Sequence, residues 1–153
     1  MGAREFFEAV RSASADASRA KAELEALEER RLSLGGHGSS PVSGTRHDVN
    51  GTAASIALVD REAALHRRVE EDYALLDRAC EVIYGADGDH GIERGLGTRF
   101  ADVVWHRSCG EETWDEVAVL VGMSRRSCVR YYEAAMDYVD SVGIFGAAGG
   151  RGV

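Results

Sequence analysis

Proline occurs once in this chain, at Pro41, and aromatic side chains make up only 7% of it, so helices meet few breakers and no large aromatic centre can form. Cysteine is scarce and scattered: Cys80, Cys109 and Cys128 stand singly, with no Cys-x-x-Cys spacing. That excludes a disulfide framework or a zinc module and points to reduced thiols in a cytoplasm, with no signal peptide expected. The lone His106-x-x-Cys109 has no second pair to complete a metal site. No apolar run approaches the roughly 20 residues that a bilayer requires, so no membrane contact is expected. Positive charge is in short supply, 18 Lys and Arg against 26 Asp and Glu, for a net charge of −8. Such a balance argues against a generic polyanion binder. Catalytic signals are missing too: there is no nucleophile–base pair, phosphate loop or convergent carboxylate cluster. Neither an enzyme nor a cofactor is expected.

What is present is helical. The 44% hydrophobic fraction is rich in alanine, which suits narrow helix–helix seams. From Phe6 the apolar residues fall at Phe6, Val10, Ala13, Ala17, Ala20, Leu24, Leu27 and Leu34, in steps of four and three, the seam of a coiled coil. A helix over these residues would run roughly 45 Å. The stretch 35–51 holds the proline, several glycines, His37, His47 and Asp48, and reads as a loop. A second long helix is predicted from about Thr52 to Tyr84, with Leu58, Leu65, Val69, Leu76, Cys80 and Ile83 on its seam. Two such helices joined by one loop most simply pack antiparallel. The glycine-rich residues 86–97 read as a linker. They carry Asp87 and Asp89, but Thr98 stands where a calcium loop needs its closing Glu. A short helix over Arg99–Ser108 follows, with Phe100, Val103 and Val104 turned toward what comes next.

The residues from Thr113 to Val139 organise the rest. Thr113 is a natural helix cap, and Glu116 three residues on completes a capping box. Val117, Ala118, Leu120 and Val121 form the expected buried side of that helix. Gly122 falls where a helix ends in the left-handed region, Met123 is an apolar turn residue, and Ser124 caps the next helix. On that helix Cys128, Tyr131, Ala135 and Val139 share one face, which leaves Arg125, Arg126 and Arg130 pointing elsewhere. An arginine-bearing helix presented end-on fits the major groove, its guanidinium groups reaching guanine O6 and N7 or flanking phosphates. Between Ser124 and Tyr132 there are three Arg and no acid, so a compact basic patch sits on an acidic body.

Thr-Trp-Asp-Glu-Val-Ala at 113–118, with Gly-Met-Ser-Arg-Arg-Ser-Cys-Val-Arg at 122–130, resembles the fourth-region helix-turn-helix of sigma-70-type factors. The whole layout is similar to small phage and prophage regulators of the RinA and ArpU late-gene group, which pair a helical hairpin with a sigma-like unit. Two departures are the long 87–97 linker and Cys128, where an aliphatic residue is usual. The residues read as an all-α chain with a hairpin over 1–85, a linker over 86–97, a helix-turn-helix domain over 98–145 and a disordered tail over 146–153, and the resemblance implies the same pairing of hairpin and sigma-like unit. It implies a regulator of phage gene expression that binds double-stranded DNA and, as further partners, host RNA polymerase and a second copy through the hairpin. Arg125, Arg126 and Arg130 would grip the major groove, Ser124 and Ser127 would bond phosphate or base edges, and Thr113 and Trp114 would approach the backbone. Two rival readings are a small terminase subunit, which also joins a helix-turn-helix to coiled-coil helices, and an adaptor that touches polymerase and never DNA. A plain helical hairpin with three solvated arginines is the least specific alternative.

Overall fold

The computed structural model of the chain describes residues 1–35 and 49–149. All regular structure in them is α-helix, and the fold is all-α. The helices are α1 (Ala3–Gly35), α2 (Val49–Tyr84), α3 (Ile92–Leu96), α4 (Thr98–Ser108), α5 (Trp114–Val121), α6 (Arg125–Val142) and α7 (Ile144–Ala148). Most of the expected 35–51 loop, with His37, Pro41, His47 and Asp48, lies outside the described residues.

The chain divides into two compact units, Asp16–Glu71 and a larger one made of Met1–Ala15 with Asp72–Val153. The smaller unit holds the middle of the predicted seam. Ala20, Leu65 and Val69 are buried, with Leu24 and Leu27 packed against them. Arg61 binds Glu23 through Nε at 2.8 Å, and Arg31 pairs with Glu62 at its edge. So thin a seam follows from alanine at the contact positions, since each alanine removes little apolar area from water.

In the larger unit the start of the α1 seam lies in the main core. Ala3, Phe6, Phe7 and Val10 pack with Ala79, Val82 and Ile83 of α2, Ile92 of α3, Ala101 and Val104 of α4, Ala135, Met136 and Val139 of α6, and Ala147 and Ala148 of α7. A second, smaller core joins Val103, Val117 and Cys128, with Trp114, Ala118, Val121, Met123, Tyr131 and Tyr132 around it. Helix α4 serves both. Val103 and Val104 are neighbours in sequence, and the rotation of about 100° per residue sends them into different cores.

Three expectations are revised. Residues 86–97 are more than a linker: Ile92 opens α3 and is fully buried, and Gly91 at φ 107 lets the chain turn where a Cβ would lie 2.5 Å from the Gly85 nitrogen. The segment from 146 begins inside a helix, with Ala147 and Ala148 buried and Ala86 N–H donating to the Ala148 carbonyl at 3.0 Å. Leu120 is 56% exposed, because the inward stripe of the short α5 runs through Trp114, Val117, Ala118 and Val121 and leaves Leu120 beside it.

Candidate nucleic-acid interface

Local chemistry sets the geometry of α5 and α6. Thr113 Oγ1 accepts from the Glu116 N–H at 3.3 Å, and the Glu116 carboxylate accepts from the Thr113 N–H at 3.0 Å, which satisfies two of the donors a helix start leaves open. Gly122 closes α5 at φ 72, ψ 35, a left-handed conformation in which a side chain would be strained. Its N–H and that of Met123 both donate to the Ala118 carbonyl, at 3.0 and 3.1 Å. Ser124 then starts α6 by accepting from the Ser127 N–H at 3.1 Å, and the two serine hydroxyls lie 2.9 Å apart. The result is two helices joined by a turn of Gly122, Met123 and Ser124, as the residue pattern predicts.

Beneath them, Val117 and Cys128 pack on Val103 of α4. Phe100 stacks on Tyr131 with ring centroids 4.3 Å apart, and Trp114 meets Tyr132 edge-on at 5.4 Å. The Arg107 guanidinium lies 4.6 Å from the centre of the Trp114 ring. Burial, with repulsion from Arg11 and Arg125 adding to it, holds Arg107 below the usual arginine pKa.

The outward side carries the charge. Arg125, Arg126 and Arg130 are all exposed on the first turns of α6. Arg126 and Arg130 are four residues apart, hence on one row of the helix. Arg125 stands 3.6 Å from Asp115 of α5, but both groups are exposed, and a pair in that setting is weak and screened by salt. The positive end of the α6 dipole adds to the three guanidinium groups. Acids of the same helix are kept away from this end. Glu133 and Asp137 face Arg4, whose Nε donates to Glu133 at 2.9 Å, and Asp140 accepts from the Ala3 N–H at 2.7 Å.

The seven candidate residues thus fall into two groups. Arg125, Arg126 and Arg130 are exposed together at the start of α6 beside Ser124, which is exposed with its hydroxyl serving as the helix cap, and half-buried Ser127. Thr113 is exposed, but its oxygen is occupied as a cap, and Trp114 is turned partly inward as a packing residue. Arg11 of α1 lies outside every motif of the sequence. Its guanidinium donates to the carbonyls of Arg107, Glu111 (3.2 Å) and Glu112 (3.0 Å), and Ser14 donates to the Cys109 carbonyl at 2.7 Å. Together they hold the α4–α5 turn, where Glu111 is the only non-glycine residue at positive φ among those described. A contact spanning about a hundred residues of sequence leaves no local signature. Among the described residues no group of His, Cys, Asp and Glu is placed to hold a metal ion, and no helix is long and apolar enough to cross a membrane. No family model matches this chain, nor does any curated protein or solved structure.

Proposed function

We propose that α5 and α6 act as a helix-turn-helix that binds double-stranded DNA, and that the protein regulates transcription of phage or prophage genes without catalysing a reaction. The support is one observation: Arg125, Arg126 and Arg130 stand exposed and clear of the α6 acids on the opening turns of a capped helix. On this reading the N-terminal end of α6 enters the major groove. A guanidinium that makes two hydrogen bonds to guanine O6 and N7 discriminates bases by about 1–3 kcal/mol. Ser124 and Ser127 hydroxyls reach phosphate oxygens, and the neighbouring Arg107 adds positive potential. The phage setting and host RNA polymerase as a partner rest on the resemblance of residues 113–130 to sigma-type units.

The chain's net charge of −8 leaves room for only a few phosphate contacts. Each should add about 0.9 to the slope of log affinity against log salt, so that slope should be shallow. The test is a selection of bound duplexes with the full chain, followed by gel shifts. Replacing Arg125 and Arg126 with Ala should abolish retention while far-UV circular dichroism stays unchanged. Undiminished retention by the double variant refutes the assignment.

A second reading, an adaptor that docks on polymerase, is favoured by Val119 and Leu120, which are 81% and 56% exposed on the outer side of α5. Salt-sensitive DNA binding in the absence of polymerase decides against it.

A further inference from the structure

The most exposed aromatic side chain in the described residues is Phe145, at 67%. It stands between two open grooves of the larger unit. One, of about 400 Å³, is lined by Met1, Phe6, Leu75, Arg78, Ile144 and Phe145 itself. The other, of about 590 Å³, runs along Arg78, Glu81, Val82, Ala86, Ile144 and Ala148. Met1, in the lining of the first groove, is 81% exposed and extends the same apolar exposure. A protruding ring beside grooves wide enough for a ring is a self-complementary surface, the kind a two-fold dimer uses.

Charge narrows the occupant further. Arg78 and Glu81 lie one turn apart on α2 and are both exposed at the groove edge. Arg78 lies over the Phe145 ring at 5.4 Å, and neither it nor Glu81 makes an ion pair among the described residues. A two-fold axis through the groove and perpendicular to α2 would run a second α2 antiparallel to the first. Arg78 then faces Glu81 of the partner subunit, and the reciprocal pair forms by symmetry. Opposite charges of equal number beside a ring and its groove match a second copy of this chain better than a partner of one sign.

We infer that the face around Phe145 is a two-fold contact with a second copy, each Phe145 entering the other's groove between α2 and α7. Self-association, expected from the sequence along the 1–85 hairpin, is thereby assigned to the C-terminal end of α2 together with α7. The contact stands apart from the DNA reading, since it uses none of the residues of α5 or the start of α6.

The test is sedimentation equilibrium of the full chain without DNA, so that its failure and that of the DNA assignment are separable. The wild type should show a reversible dimer. Phe145→Glu should weaken it at least tenfold. Arg78→Glu should weaken it as well, and Arg78→Glu combined with Glu81→Arg should restore it. All these positions are exposed, and circular dichroism of each variant checks that the fold is kept, with Phe145→Ser as a milder substitution. A wild type that stays monomeric at every concentration, leaving the face to another partner, overturns the inference. So does a dimer unaffected by either Phe145 variant, which is the outcome if the hairpin alone holds two copies together.

Discussion

Cys109 shows how much the surroundings of one residue can matter. Burial, assisted by the nearby Cys80, pushes its thiol from the ordinary 9.0 up to about 12. The folded chain therefore keeps a proton that the unfolded chain gives up earlier. The linked stability is fully present below pH 9.0 and is lost as pH rises toward about 12. Tyr84, raised by burial from 10.0 to about 12, acts in the same direction. Cys109→Ala should flatten the alkaline fall in stability, as measured by urea titrations across that range, and an unchanged slope would show that the thiol contributes nothing to it. The caps and the turn glycine were legible as residue types. Thr113 with Glu116, Gly122 and Ser124 act over three or four positions, and so short a range is what sequence encodes directly.

Helices were legible where their apolar steps were regular. Of the α1 seam, Phe6, Val10, Ala13, Ala17 and Ala20 are buried, and Leu24 and Leu27 are half-buried. Helix α5 was read less well, since eight residues give barely two turns and too few positions to fix which side faces inward. Leu120 went outward for that reason. The short α3 and α7 escaped notice, because a five-residue helix among glycines has no period to detect, and its burial depends on partners far along the chain. The α4–α5 turn is held in the same long-range way. Arg11→Ala leaves the Arg107 and Glu111 carbonyls without their charged donor, while the Glu112 carbonyl keeps the Arg107 guanidinium at 3.2 Å, and should cost about 2 kcal/mol. Amide exchange should quicken at residues 109–116 first. Arg11→Lys should recover only part of the loss, because an ammonium cannot reproduce the fork of a guanidinium. Equal protection in the Ala variant would remove the proposed role of Arg11 in holding α5.

For the whole molecule, the first fifteen residues matter most. They belong with Asp72–Val153, and Phe6, Phe7 and Val10 fill the core that Met136 and Val139 line from α6. A fragment of residues 98–145, the expected DNA-binding domain, lacks Ala3 to Val10 and Ala79 to Ile92 and should stay largely unfolded by circular dichroism, whereas the full chain is helical. A well-folded fragment would contradict the shared core. Periodicity, capping residues and the cluster of three arginines determined the all-α class, the ends of α5 and α6, and which residues could carry positive charge outward, because each depends on neighbours within a turn or two of helix. Tertiary structure alone decided that α1 closes the core beneath α6, that Arg11 holds the turn before α5, and that Phe145 is left uncovered. Each of these is set by which surfaces meet across some seventy to a hundred and forty positions of chain, and no local pattern encodes such meetings.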